Sequence, residues 1–257
     1  GYPDLNGEAQ LEICKTTCAS FVRYVLEKEG DVAAVIAEPA RAVPYIPPPG
    51  YWQMVRQACN DHGALLIFDE IPTGLGKTGK MFACEHDDVV PDILVLGKAL
   101  GGGILPIAAV LAKSELDVAG EFAFGHYTHE KNPVTAKAAL TTIEIIEQEG
   151  LVENAAELGK YMLEQLNLLK AKHSTIGDVR GRGLLVGVEL VLNQEEKTPA
   201  NDLAEDVLYR CLSKGLSFKL TMGNVMTLTP PLIIKKAQID LSLEIIDQSL
   251  SEAENAL

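Results

Sequence analysis

Two short apolar runs constrain this chain more than anything else in it: ALLIFDE, closing on Asp69 and Glu70, and DILVLGK, closing on Lys98. Each is a near-continuous stretch of Leu, Ile, Val and Phe bounded by Gly or Pro, the pattern of a strand buried on both faces. Open α/β sheets place their ligands outside the carboxyl ends of such strands. Asp69 and Lys98 are therefore expected to point into one crevice, with the flexible stretch Gly101-Gly102-Gly103 following the lysine.

The rest of the chain supplies the helices that such a sheet needs. Apolar residues at Leu11, Cys14, Cys18, Phe21, Val22 and Val25 predict a helix ending near Gly30, which leads into the strand VAAVIAE. The stiff turn PYIPPPG cannot enter a sheet interior, and it delivers a helix over Trp52 to Asn60 that ends near Gly63. After Lys98 comes another apolar run, PIAAVLA. Two long helical patterns follow, from Pro133 to about Gln148 and from Leu151 to about Lys172. Beyond them GLLVGVELV and the region from Leu216 to Leu228 read as strands, divided by a helix beginning near Ala200. A last helix runs from near Lys236 to Ala253. This alternation is α/β. The change of texture sets a boundary around 143–150, giving expected domains of 1–147 and 148–257.

With 257 residues the chain can bury a full core. Its net charge of −14 argues against nucleic-acid or anionic-membrane partners, which need a basic face. No apolar run approaches a bilayer span, and GYPDLNGEAQ does not read as a signal peptide. The five cysteines are odd in number and scattered, so buried small residues on helix faces, Cys14 and Cys18 included, are expected rather than zinc or disulfides. A cytoplasmic location fits.

GLGKTG, residues 74–79, matches G-x-G-x-x-G and follows a strand. A dinucleotide-binding unit needs a crossover helix after the glycines, and the next strand begins by Ile93, too soon for one. A P-loop would need glycine at position 71, which is Ile71. A flexible loop beside an active site explains these glycines better.

A lysine and an aspartate converging on one pocket is what pyridoxal phosphate chemistry requires. The amine condenses with the cofactor aldehyde, and the carboxylate keeps the pyridine nitrogen protonated.

With these residues in view, the chain resembles the class III (ω-amino acid type) pyridoxal-phosphate-dependent aminotransferases of fold type I. The motifs that carry the resemblance are AVIAEP, PPPGY, LLIFDE, TGLGKTG, PDILVLGKALGGGILPIAAV, THEKNP at 128–133, VRGRGLLVGVEL and the closing strand NVMTLTPPL. The resemblance implies a mostly parallel large domain, here without its N-terminal part, and a smaller α+β C-terminal domain. That absent part would supply the helix N-terminus that cradles the phosphate and an aromatic residue that stacks on the ring.

The resemblance also implies roles. Lys98 would hold the cofactor as a Schiff base, and Asp69 would face its ring nitrogen. Ile71 would pack against the ring, with plain core as the other reading. Thr128 would reach the phosphate of the neighbouring subunit, so a homodimer with shared active sites is expected; an ordinary loop threonine is the alternative. Glu38 matches a glutamate near the substrate pocket, with a structural ion pair as an equal contender.

Three departures stand out. Pro72 occupies a position where many relatives carry glutamine. Thr227 stands where the closing strand often holds a carboxylate-binding arginine. His126, His129, Glu130 and Lys131 decorate the phosphate-facing loop; they are either a solvated loop or a site for an extra anionic group. Arg41, Arg180 and Arg182 are further anion partners, with structural roles favoured for the last two. The expected reaction moves an amino group from an amine or ω-amino acid to a keto acid. The alternative is an ammonia-lyase or phospho-lyase of the same family, acting on a hydroxylated, phosphorylated or phosphonate amine.

Overall fold

Both apolar runs form strands, and they lie side by side. The computed structural model describes residues 7–122, 128 and 130–256, with side chains of the first helix described from residue 17. These residues form two compact units. The first draws on Gly1–Ala40, Pro47–Leu75 and Phe82–Ile146, and the second on Arg41–Ile46, Gly76–Met81 and Glu147–Leu257.

In the first unit, strands β1 (Ala34–Ala37), β2 (Leu65–Asp69), β3 (Ile93–Leu96) and β4 (Ala109–Ala112) form one sheet in the order β1-β2-β3-β4. The first three are parallel, as continuous apolar runs predict, while β4 returns antiparallel to β3. Helix α1 (Gly7–Glu29) packs on α2 (Tyr51–His62). Gly63 closes α2 at φ 68°, a left-handed conformation that glycine adopts without strain. One sheet face is sealed by α2. Trp52 meets Phe68 edge-to-face, with ring centroids 4.8 Å apart, and its indole N–H donates to the Pro39 carbonyl. Leu66, Phe68, Leu94 and Leu96 are buried.

An ion cluster fixes the amino-terminal side of this sheet. Asp92, just before β3, accepts from Arg56 on α2, from Lys113 just after β4 and from the Leu66 amide, each at 2.7 Å. Burial alone would raise the Asp92 carboxyl, but these donors outweigh it and hold the group down at about 2.

The second unit is a four-stranded antiparallel sheet in the order β5-β6-β8-β7, where β5 is Ile176–Arg182, β6 Leu185–Leu190, β7 Lys219–Thr221 and β8 Val225–Leu228. Helices α4 (Leu151–Lys172), α5 (Asn201–Ser213) and α6 (Lys236–Glu254) bury its apolar residues, among them Leu166, Val188, Val207, Met226 and Ile246. Helix α3 (Pro133–Gln148) precedes α4.

Two expectations are corrected here. The loop at 76–81 is packed rather than flexible. The Lys77 carbonyl accepts from the Leu184 amide, and the Lys77 ammonium donates to the Pro230 carbonyl at 2.8 Å. A Cβ at Gly79 would lie 2.8 Å from the Ala156 Cα, so these glycines serve close packing. Cys18 is exposed instead of buried, because α1 turns Ala19 and Leu26 inward; the Cys14 side chain lies outside the described residues. Cys59, Cys84 and Cys211 are buried free thiols. Among the described residues no helix is long and apolar enough to cross a membrane, and no cluster could hold a metal ion.

Candidate active site

Three parallel neighbours bring three chemistry-bearing residues to one end of the first sheet. Glu38 follows β1, Asp69 ends β2, and Lys98 stands two residues past β3. The register pairs Ala37 with Phe68 and Asp69 with Val95, so the three strand ends are level. At a strand spacing of about 4.8 Å the β2 and β3 backbones run side by side here, and Lys98 stands three residues beyond the register partner of Asp69.

Lys98 is exposed and adopts φ 46°, a left-handed conformation uncommon outside glycine. Such backbone costs about 1 kcal/mol or more and persists only where the surroundings hold it. Gly97 on one side and the turn ending at Gly102, φ 68°, on the other hold it here. The amine is thus lifted clear of the apolar strand that carries it.

Asp69 is half-buried, and its Oδ1 accepts the Ile71 amide at 3.0 Å, which fixes the carboxylate's orientation. Ile71 is half-buried and lies against Gly97: a Cβ there would be 3.4 Å from the Ile71 Cγ2. Ile71, two residues after Asp69, and Gly97, the residue before Lys98, are therefore close neighbours. Pro72 is half-buried in the same turn and offers no side-chain donor.

Sequence reasoning passed over Glu70. Alternation along β2 turns it away from Asp69 into the covered face, where it is 1 % exposed. Its Oε2 accepts the Thr73 hydroxyl at 2.7 Å and the Ala83 amide at 2.9 Å, and its Oε1 accepts the Cys84 amide at 2.8 Å. Burial, together with this carboxylate, pushes the Cys84 thiol up to about 12. A carboxylate at an inward position of an apolar strand was the available signal.

The other candidates are more scattered. Thr128 is exposed in a turn, while His126 and His129 lie outside the described residues. Glu130 and Lys131 stand 3.9 Å apart in an exposed ion pair. Arg41 is exposed in the second unit, its amide bonded to the Tyr45 carbonyl. Arg180 is engaged by Asp178, Glu189 and the Pro44 carbonyl and stacks on Tyr45, and Arg182 ends β5 opposite Leu185. Thr227 is buried, with its hydroxyl 2.8 Å from that of Thr221 across the β7–β8 pair.

Comparison with known proteins agrees with this architecture. The model of the family "Aminotransferase class-III" matches residues 2–250. The (R)-1-hydroxy-2-aminoethylphosphonate ammonia-lyase of Vibrio splendidus is 44% identical over 96% of this chain and 52% of its own length. The structure of a Bacillus anthracis aminotransferase superposes with a TM-score of 0.88 at 36% identity, over 93% of this chain and 57% of that one. An ornithine aminotransferase from Toxoplasma gondii, with partial occupancy of PLP at its active site, superposes with a TM-score of 0.85 at 31% identity over 93% of this chain and 55% of its own. The chain spans about half the length of the curated relative, 52%. The expected α/β fold and family are both borne out, and the chain belongs to the class III aminotransferases.

Proposed function

We propose that this chain is the lysine-bearing part of a pyridoxal-phosphate-dependent enzyme that moves an amino group from an amine or ω-amino acid to a keto acid. One observation carries the reading: Asp69 and Lys98 stand at the same end of paired parallel strands, one an oriented carboxylate and the other an exposed lysine. That donor set fits the cofactor. When bound, pyridoxal phosphate supplies an aldehyde that condenses with amines and a ring that takes up electrons. Lys98 would hold the cofactor through its amine and would take and return the proton at the substrate carbon. Asp69 would face the ring nitrogen, where its negative charge would raise that nitrogen's pKa and keep the proton on it. Ile71 would pack against the ring. Glu38 would face the substrate, and Arg41 and His126 are assigned to anionic substrate groups.

Thr128 is assigned to the cofactor phosphate of a second copy, so the working form is a homodimer. The free thiols fit a cytoplasmic setting.

A lyase of the same family is the second reading, and Thr227 favours it. Its buried hydroxyl is already taken by Thr221, so this position cannot clamp a substrate α-carboxylate as an arginine would. A substrate without that carboxylate, such as a hydroxylated aminophosphonate or phosphorylated amine, needs no such clamp. The test is to incubate the protein and pyridoxal phosphate with such amines, with and without a keto acid, and to measure amine consumption together with free ammonia and phosphate. Amine consumption that requires the keto acid and converts it to an amino acid without free ammonia selects transamination; ammonia or phosphate released without a keto acid selects the lyase. A cofactor spectrum unchanged by protein and amine contradicts both.

A further inference from the structure

We propose that Glu70 is a positioning residue: by gathering the donors of the loop that follows β2, it sets the Ile71 backbone that orients Asp69 and abuts Gly97 before Lys98. The proposal goes beyond the cofactor reading, because it concerns how the two site residues are held in one frame.

The geometry is a chain of short links. The Glu70 amide donates to the Val95 carbonyl at 2.9 Å, which ties the end of β2 to β3. Its own carbonyl accepts the Gly74 amide at 2.8 Å and the Thr73 amide at 3.3 Å, closing a tight turn. A Cβ at Gly74 would sit 3.0 Å from that carbonyl and 3.3 Å from the Leu96 side chain, so the turn is pressed onto β3. The buried carboxylate then binds Thr73 within the turn and Ala83 and Cys84 at the loop's far end. Ile71 has little freedom inside this frame. Its amide reaches Asp69 and its side chain reaches Gly97. A carboxylate is needed because every partner is a donor. A glutamine would turn an NH2 group toward one of them and leave a buried donor unpaired.

The experiment reads amide hydrogen exchange at Ile71, Ala83 and Cys84 in the cofactor-free protein, comparing wild type with Glu70→Gln. Exchange at Ile71 is expected to rise about tenfold, the factor one net hydrogen bond is worth. Phe68 and Leu94, held in the sheet, should not change, which separates local loosening from general loss of stability. Thr73→Val removes a single bond and covers the case in which Glu70→Gln fails to fold; it should speed Ile71 by a smaller factor. Unchanged exchange at Ile71 in a folded variant, with faster exchange at Ala83 or Cys84, overturns the coupling. A second readout is the rate at which borohydride fixes pyridoxal phosphate to Lys98, which should fall in the same variant. Absence of fixation in wild type counts against the cofactor reading alone, because the exchange measurement needs no cofactor.

Discussion

Asp69 and Val95 are register partners on neighbouring parallel strands, and Lys98 follows Val95 at the same end of the sheet. The pairing converts two separate sequence runs into one site. The Ile71 amide adds direction, since it holds one carboxylate oxygen of Asp69 and leaves the other free to meet a ring nitrogen.

Replacing Asp69 by Asn keeps the size and an oxygen for the Ile71 amide but removes the charge. The proposed role predicts a fall in turnover on the order of 10²–10³, typical of losing one preorganised electrostatic partner. Circular dichroism and thermal midpoint should change little. Steady-state kinetics with saturating pyridoxal phosphate provides the check, and a variant within about threefold of wild type would remove Asp69 from the chemistry.

Acid should loosen the first unit through Asp92. Its folded pKa, about 2, lies below the ordinary 3.8, so its contribution is fully present above pH ~4 and is lost as pH falls toward 2. The depression corresponds to about 2 kcal/mol. Asp92→Asn leaves Arg56 and Lys113 without their shared carboxylate and should cost about 3 kcal/mol at neutral pH. Urea unfolding from pH 7 to pH 2.5 measures both, and the variant should show a flatter acid limb.

Gly183 joins β5 to β6 at φ 53°, and a Cβ there would stand 2.3 Å from the Thr78 carbonyl carbon. Alanine at this position therefore meets both backbone strain and a hard clash with the 76–81 segment. Gly183→Ala is expected to cost about 3 kcal/mol, seen as a lower urea midpoint.

Much of this architecture was legible because local signals and tertiary needs agreed. Glycines at 30, 63 and 150 bound helices where the periodicity stopped, and the apolar runs became β1, β2 and β3. Strand β5 was hidden. IGDVRGR has little strand propensity, and it pairs because β6 supplies a complete antiparallel ladder from Leu185 to Leu190. The packing of Gly76–Met81 with the second unit was equally invisible, since Lys77 finds Pro230 and Leu184 far along the chain. In the candidate site, Asp69 and Lys98 were named from their position at strand ends. Glu70 was missed because two of its partners are the Ala83 and Cys84 backbone amides, which leave no mark in a sequence, although its inward position on an apolar run did.

The most direct test of the central claim is to reduce the protein with borohydride in the presence of pyridoxal phosphate and map the modified peptide by mass spectrometry. The account predicts a single stable pyridoxyl adduct on Lys98, absent from Lys98→Ala while that variant keeps its fold. An adduct that persists in Lys98→Ala, or one carried chiefly by another lysine, would contradict it.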